Sequence, residues 1–291
     1  MIYLTLILTT LFWGGTFIAG RVLADSVAPA DAAFMRFVLA AVTLAVLTRM
    51  IDGRLRLPPR DQLVSLLLLG LTGVFCYNIC FFSGLRYIEA GRASLIIALN
   101  PMAITVGAVF LFGERLSLLQ CAGLLISLFG AFLVISNGNP AILISGGIGW
   151  GEIAILGCVI SWAAYSLIGR NVLKSMSPLS AVFYSALFGA LMLLPATLVG
   201  EAPLQIHTYS SADWISLLFL GILGTAAGFS LYYQAIRAIG SARSSVFINL
   251  VPLFSILLAW IFLGETINFS VLGGGIILMS GVYLTNKKAK T

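Results

Sequence analysis

The sequence predicts an all-α integral membrane protein with ten transmembrane helices, built as two inverted five-helix repeats. Three observations predict this fold class: the apolar composition, the length of the apolar runs, and an internal repeat. The chain is 60% hydrophobic and only 9% charged, whereas soluble domains carry about 25% charged residues. Too little polar surface therefore remains to cover a water-soluble fold.

The apolar runs are about 20 residues long, the length at which a helix crosses roughly 30 Å of hydrocarbon. A helix satisfies its own backbone hydrogen bonds, which a bilayer core requires. The alternating polarity that marks the strands of a membrane barrel is missing. Turn and charge signals between the runs predict helices at residues 2–21, 31–50, 63–85, 93–113, 118–136, 150–170, 179–199, 214–236, 244–264 and 269–286.

The chain repeats itself at an offset of 151 residues, or 149 residues near the N-terminus. The aligned pairs include Trp13 with Trp162, Gly70 with Gly221, Arg86 with Arg237, Pro101 with Pro252, Gly113-Glu114 with Gly264-Glu265, and Gly130 with Gly281. We therefore predict a first repeat at residues 1–140 and a second at 141–291. The first helix has a partner in the sixth and no positive charge before Arg21, so we expect a retained helix, not a signal peptide.

The charge distribution predicts the orientation. A repeat of five helices is an odd number, so the second repeat starts on the opposite side of the membrane. Placing both termini in the cytoplasm leaves only four of the 16 Lys and Arg residues outside, as the positive-inside rule favours. These four are Arg21, Arg36, Arg86 and Arg92. We expect a multi-pass protein of the plasma membrane, which in bacteria is the inner membrane.

Several classes of partner are disfavoured. The net charge of +6 comes from basic residues at the ends of apolar runs, which is a topology signal, so we expect no nucleic-acid partner. All four cysteines lie inside apolar runs, which favours packing over disulfides or a metal site. We expect no metal and no cofactor. The expected partners are a small-molecule substrate and the lipid bilayer, and a monomer is compatible with the sequence.

Inverted repeats favour a secondary carrier, because two similar halves can exchange conformations and open a central site alternately to each side. A channel or a membrane-embedded enzyme is the alternative from another class. The only histidine, His207, lies in a loop, and no Asp or Glu lies deep in a predicted span, so the groups for catalysis are missing and we expect no enzyme. The same absence favours facilitated over proton-driven transport, with a proton-coupled multidrug or metabolite exporter as the alternative.

Several short motifs resemble the EamA-type branch of the drug/metabolite transporter superfamily. They are Trp13-Gly14, Met35-Arg36-Phe37, the segment from Gly84-Leu85-Arg86-Tyr87 to Pro101, and Gly113-Glu114-Arg115 with its counterpart in the second repeat, Gly264-Glu265. Their order and repetition extend the resemblance over essentially the whole chain. It implies a ten-helix carrier with a cavity among helices 1, 3, 4, 6, 8 and 9. It also implies amino acids, related metabolites or drug-like compounds as cargo, most often exported.

Polar and aromatic residues inside these spans are the candidate substrate-binding residues, because polar groups in a membrane mark pathways. They are Trp13, Thr16, Tyr77, Asn78, Phe81, Asn100, Trp162, Tyr165, Phe229, Tyr232 and Asn249. Aromatic rings offer apolar contact and cation–π attraction to an ammonium group. Amides can bind an amino-acid backbone through hydrogen bonds. Membrane anchoring and helix packing are the alternative roles of these residues.

Three further groups of residues carry predictions. Pro101 and Pro252 fall in the middle of predicted helices, where they free the carbonyls of Ile97 and Ile248. These carbonyls bind cargo, or the prolines act as gating hinges or as static kinks. Arg36 either extends to the outer headgroups or reaches inward and pairs with a cargo carboxylate or a helix end. Glu114 and Glu265 end the fourth and ninth helices, and we expect them to interact with the dipole of the helix that follows.

Overall fold

The structure is a computed structural model that describes residues 2–53, 57–112, 117–135, 139, 148–199, 206–239, 246–266 and 269–286. Within these ranges the regular secondary structure is helical. The predicted boundary between residues 140 and 141 and the predicted helix-end residue Glu114 lie outside the described residues.

Among the described residues, seven helical spans are long and apolar enough to cross a membrane: Ile2–Ala24, Pro29–Ile51, Arg60–Leu85, Ala90–Leu111, Trp150–Gly169, Pro178–Leu198 and Ser211–Ala235. Shorter apolar helices cover Leu118–Val134, Val251–Leu263 and Phe269–Leu284. These spans confirm the all-α membrane fold class. The count of ten transmembrane helices and their inverted arrangement remain predictions.

The individual helices, numbered in chain order, are α1 (Ile2–Ala24), α2 (Pro29–Ile51), α3 (Leu63–Leu69), α4 (Tyr77–Leu85), α5 (Ala90–Ile97), α6 (Asn100–Phe112), α7 (Leu118–Ile135), α8 (Trp150–Val172), α9 (Pro178–Leu198), α10 (Ser211–Leu218), α11 (Gly228–Ile239), α12 (Val251–Leu263) and α13 (Phe269–Asn286). Two π-helical turns connect pairs of these helices. Gly70–Cys76 joins α3 to α4, and Phe219–Ala227 joins α10 to α11. Short 3-10 turns cover Arg60–Gln62, Ile206–Thr208 and Val246–Leu250.

Helix ends follow local sequence signals. Pro178 is in the first turn of α9, where a missing N–H costs nothing, and the Ser177 hydroxyl before it accepts a bond from the Ser180 amide at 3.2 Å. Ser210 and Asp213 form a capping box at the start of α10. Gly264 ends α12 with a φ of +66°, a conformation that glycine adopts without strain.

Pro101 and Pro252 do not lie in the middle of continuous helices, so that prediction is wrong. The helix predicted at residues 93–113 is interrupted between α5 and α6, and Pro101 is the second residue of α6. Pro252 is likewise the second residue of α12, after the 3-10 turn Val246–Leu250. Proline is tolerated in the first turn of a helix, because the amide there has no helical partner. A hinge role for these breaks remains a prediction.

Glycines allow α7 and α13 to pack with their backbones in contact. A Cβ on Gly130 would lie 2.2 Å from the Leu278 amide nitrogen, and a Cβ on Gly281 would lie 2.2 Å from the Ser127 amide nitrogen. Elsewhere the surface carries large exposed apolar side chains such as Val42, Phe110 and Ile160. In a membrane protein this surface contacts lipid.

Candidate functional site

A cavity of about 50 Å³ lies within the helix bundle. Its lining includes nine of the residues that the sequence predicts for a site: Trp13, Thr16, Arg36, Tyr77, Asn78, Phe81, Asn100, Trp162 and Phe229. They come from α1, α2, α4, α6, α8 and α11. Residues far apart in the chain therefore converge on one space.

Aromatic rings form most of one wall. The ring centroids of Trp13 and Trp162 are 6.2 Å apart with their planes at 79°. Phe229 lies edge-on to both, at 5.7 Å from Trp13 and 5.4 Å from Trp162. Tyr77 lies 5.6 Å from Trp162 and stacks on Phe81 at 6.0 Å. Such edge-to-face and offset contacts are the preferred arrangements of aromatic pairs.

The Trp13 indole is held by the second π-helical turn. Its Nε1–H donates to the carbonyl oxygen of Gly224 at 3.1 Å. A Cβ on Gly228 would lie only 2.9 Å from this nitrogen, so glycine at that position leaves room for the indole. The neighbouring Thr16 hydroxyl donates to the Trp13 carbonyl at 2.6 Å, within its own helix. Single π-helical turns are found often at functional sites.

The Arg36 side chain points into the helix bundle, and its pairing with a cargo carboxylate stays a prediction. Its side chain is buried, with 5% of the residue exposed. Its Nε donates to the Thr225 hydroxyl and its Nη1 to the Asn78 Oδ1, both at 3.0 Å. Thr225 and Asn78 are themselves fixed by bonds of 2.8 Å to the backbone carbonyls of Leu220 and Val74. The guanidinium is therefore held in one orientation beside the cavity.

Asn100 is the first residue of α6, directly after the break that separates α5 from α6. It is 3% exposed, and its side-chain Oδ1 has no hydrogen-bond partner within the described part of the chain. A buried polar atom without a partner is rare in folded proteins and calls for an explanation. Since Asn100 lines the cavity, a bound molecule could supply the missing donor.

Two predicted residues lie behind the cavity wall instead of lining it. Tyr165 packs on Trp162 at 5.2 Å, and its hydroxyl lies 3.4 Å from those of Ser185 and Tyr233. Tyr232 packs on Trp13 at 5.0 Å. They support the tryptophans from the outside of the site. The backbone of Asn249 belongs to the 3-10 turn before α12, and its side chain lies outside the described part of the chain.

The lining also includes Phe17, Phe37, Gly73 and Val251, which the sequence did not single out, and Ile97 and Ile248, whose carbonyls are predicted to be freed by Pro101 and Pro252. Phe17 lies one helical turn after Trp13, and that spacing was a usable signal. Ile97 and Ile248 precede the prolines by four residues. The other apolar residues carry no signal in a chain in which most residues are apolar.

A second cavity, of about 400 Å³, is lined by residues that include Glu89, Arg92 and Glu265. The Glu265 carboxylate accepts bonds from the amides of Ala90 at 2.9 Å and Gly91 at 3.1 Å, at the start of α5. Glu265 therefore interacts with the dipole of a helix, as expected. The helix is α5, whereas the prediction named the helix that follows Glu265 in the chain, and that part of the prediction is wrong. Burial and the nearby Glu265 raise the pKa of the Glu89 carboxyl.

An ion pair links this cavity to α8. The Arg92 guanidinium lies 2.9 Å from the Glu152 carboxylate, which is also bonded to the Gly149 amide at 3.1 Å. Arg21 and Arg86 nearby bond backbone carbonyls: Arg21 that of Leu85, and Arg86 those of Ala24 and Val27. These arginines therefore stabilise the ends of helices.

Comparison with known proteins identifies a transporter family. The model of the EamA-like transporter family matches residues 1–136 and 149–287. The chain is 27% identical to the Bacillus subtilis "Uncharacterized transporter YyaM", over 97% of this chain and 92% of that protein.

Two other relatives have names that mention cargo. The chain is 29% identical to a "Probable terminal-alkyne amino-acid exporter" of Streptantibioticus cattleyicolor, over 97% of this chain and 92% of the relative. It is 26% identical to a "Probable amino-acid metabolite efflux pump" of Salmonella typhimurium, over 96% and 92%. A solved crystal structure shares the fold with a TM-score of 0.68 and 21% identity, over 97% of this chain and 95% of that chain.

Proposed function

Since the chain belongs to the EamA-like transporter family, we propose that it is a secondary carrier of amino acids or related amphipathic metabolites. Family membership implies transport of a small molecule across a membrane. The preference for aromatic or large apolar amino acids, alternating access and the direction of export are our proposal. The observation that carries it is the cavity whose lining combines aromatic rings with Arg36 and with Asn100, whose side-chain oxygen has no hydrogen-bond partner among the described residues.

The chemistry of this cavity suits an amphipathic cargo. The rings of Trp13, Trp162 and Phe229 offer apolar contact to a large side chain. Arg36 and Asn100 offer a cationic donor and a neutral acceptor. Two relatives with amino-acid cargo in their names support this assignment.

The proposed mechanism rests on two inverted five-helix repeats that exchange conformations. Reciprocal contacts support such a symmetry. Gly73 abuts Tyr165, and Gly224 abuts Thr16. In the alignment of the two repeats, Gly73 corresponds to Gly224 and Thr16 corresponds to Tyr165. The contacts of Gly130 with Leu278 and of Gly281 with Ser127 exchange in the same way.

Cargo binding requires the cavity to widen. Its volume is about 50 Å³. A cavity needs about 10–15 Å³ to hold one water molecule, so this one has room for only a few. The aromatic wall must therefore move apart to admit an amino acid. Movement of Trp13 would break its bond to Gly224 and so couple binding to the π-helical turn.

We expect facilitated movement down the cargo gradient, with both termini in the cytoplasm. Among the described residues, the lining of the central cavity includes no Asp, Glu or His. The buried acids Asp31, Glu152 and Asp213 lie instead in the first turns of α2, α8 and α10, where an acid favourably meets the helix dipole. One copy of the chain supplies the cavity, so a monomer suffices.

Uptake into proteoliposomes tests the proposal. The purified protein is reconstituted, and uptake of labelled phenylalanine, leucine, alanine and glutamate is followed with and without a pH gradient. We expect saturable uptake that favours phenylalanine and leucine and does not respond to the gradient. Uptake driven by the gradient would instead support the proton-coupled alternative, and no uptake of any amino acid would contradict the proposed cargo class.

A further inference from the structure

We infer that Arg36 and Asn100 form a two-point anchor for the backbone of a zwitterionic α-amino acid. The guanidinium binds the carboxylate of the cargo, and the Asn100 Oδ1 accepts a hydrogen bond from its ammonium group. This inference rests on the proposed function and adds the residues that recognise the two charges.

Arg36 is a buried cation without an anionic partner. Its two hydrogen bonds go to neutral oxygens, those of Thr225 and Asn78. Within the described ranges, the ion pairs are Arg21–Asp25 and Arg92–Glu152, and neither involves Arg36. A charge inside a membrane is costly unless another group compensates it. A cargo carboxylate entering the cavity would supply the missing negative charge.

The geometry of the guanidinium favours a carboxylate over a point anion. Arginine presents five N–H donors in a planar fork that matches the two oxygens of a carboxylate. The bonds to Thr225 and Asn78 use Nε and Nη1, and Nη2 has no hydrogen-bond partner within the described residues. Thr225 and Asn78 hold the plane of the fork, so its free edge has a fixed direction beside the cavity.

Asn100 supplies the second point. Its Oδ1 is buried, unpartnered and in the lining of the same cavity as Arg36. The oxygen accepts hydrogen bonds and cannot donate them, so its complement on the cargo is an N–H. An ammonium group offers three such donors and is also attracted to the faces of the surrounding rings.

Together the two points select for an unmodified amino-acid backbone. A cargo without a carboxylate leaves the Arg36 charge uncompensated, and a cargo without an amine leaves the Asn100 oxygen unpartnered. The side chain of the cargo would lie among the rings of Trp13, Trp162 and Phe229. The anchor therefore discriminates by backbone, and the rings by side chain.

Competition against labelled phenylalanine uptake in proteoliposomes tests the anchor. The competitors share the phenyl ring: unlabelled phenylalanine, phenylalaninamide without the carboxylate, and 3-phenylpropionate without the amine. We expect phenylalanine to inhibit at concentrations at least about tenfold lower than either analogue, as the loss of one charged hydrogen bond implies. Arg36→Gln should abolish the advantage over phenylalaninamide. Asn100→Ala should reduce the advantage over 3-phenylpropionate and leave the other ratio intact.

These ratios do not depend on how much of a variant folds. Arg49→Gln is the matched control, because Arg49 is exposed near the other end of the same helix α2; both ratios should stay at the wild-type values. If Arg36→Gln does not fold, the same two inhibition ratios are measured for Arg36→Lys and compared with those of the wild type. Equal inhibition of the wild type by phenylalanine and both analogues would overturn the anchor and leave the carrier function standing. Absence of saturable phenylalanine uptake by the wild type would overturn the proposed cargo together with the anchor.

Discussion

At the scale of single residues, the cavity depends on a few side chains whose positions are fixed by bonds to the backbone. The Trp13 indole is held by the Gly224 carbonyl, and Arg36 is held by Thr225 and Asn78. Within the described residues, the contacts of the Trp162 side chain are ring contacts, against Trp13, Tyr77, Tyr165 and Phe229. Trp162 is therefore the residue at which aromatic packing can be tested separately from hydrogen bonding.

We predict that Trp162→Ala raises the KM for phenylalanine uptake roughly tenfold, because the loss of one aromatic contact surface is worth about 1–2 kcal/mol. Trp150→Ala is the control, since Trp150 begins the same helix α8 and is 61% exposed. Its KM should not change. Proteoliposome uptake over a range of phenylalanine concentrations measures both variants. Equal effects of the two substitutions would contradict a binding role of Trp162.

The polar residues and several aromatic residues of the lining could be predicted from the sequence, whereas most of its remaining apolar residues could not. A Trp, Asn or Arg inside an apolar run stands out, so Trp13, Asn78 and Arg36 were identifiable. The inward direction of Arg36 depends on Thr225, which lies 189 residues away in the chain, and no local pattern encodes that distance. Phe37 and Val251 resemble every other apolar residue of the chain.

At the scale of the helices, close backbone packing depends on glycines that the repeat frame brings into pairs. We predict that Gly281→Ala lowers the melting temperature in detergent by several degrees, because its Cβ would lie 2.2 Å from the Ser127 amide nitrogen. Overpacking of this kind costs about 1–3 kcal/mol. Gly273→Ala on the same helix α13 is the control, since its Cβ would meet nothing within 4 Å. An unchanged melting temperature for Gly281→Ala would refute the close packing of α7 and α13.

The presence of the helices could be predicted from the length of the apolar runs, but the breaks within the helices could not. The sequence predicts a continuous helix over 93–113, whereas the structure ends α5 at Ile97 and begins α6 at Asn100. Pro101 correctly indicated an irregularity in this region. Its position in the first turn of a new helix, however, depends on tertiary packing. The π-helical turns at Gly70–Cys76 and Phe219–Ala227 likewise had no sequence signal beyond glycine.

At the scale of the whole molecule, the positions of the basic residues predict the orientation in the membrane. We predict that a single cysteine at His207→Cys, in a cysteine-free background, reacts with a membrane-impermeant maleimide in intact cells. Lys174→Cys should react only after permeabilisation. Both positions are exposed, so both should react in opened membranes, which is the control. The reverse labelling pattern would contradict the assignment of both termini to the cytoplasm.

A carrier whose single site alternates between the two sides of the membrane shows counterflow, which a channel does not. Proteoliposomes loaded with a high concentration of unlabelled phenylalanine are diluted into a trace of labelled phenylalanine. A carrier with one central site should accumulate label transiently above its equilibrium level, because inward-facing sites return occupied. The account predicts this overshoot for the wild type and its reduction in Trp162→Ala. A monotonic approach to equilibrium, unaffected by internal phenylalanine, would be the behaviour of a channel and would contradict alternating access.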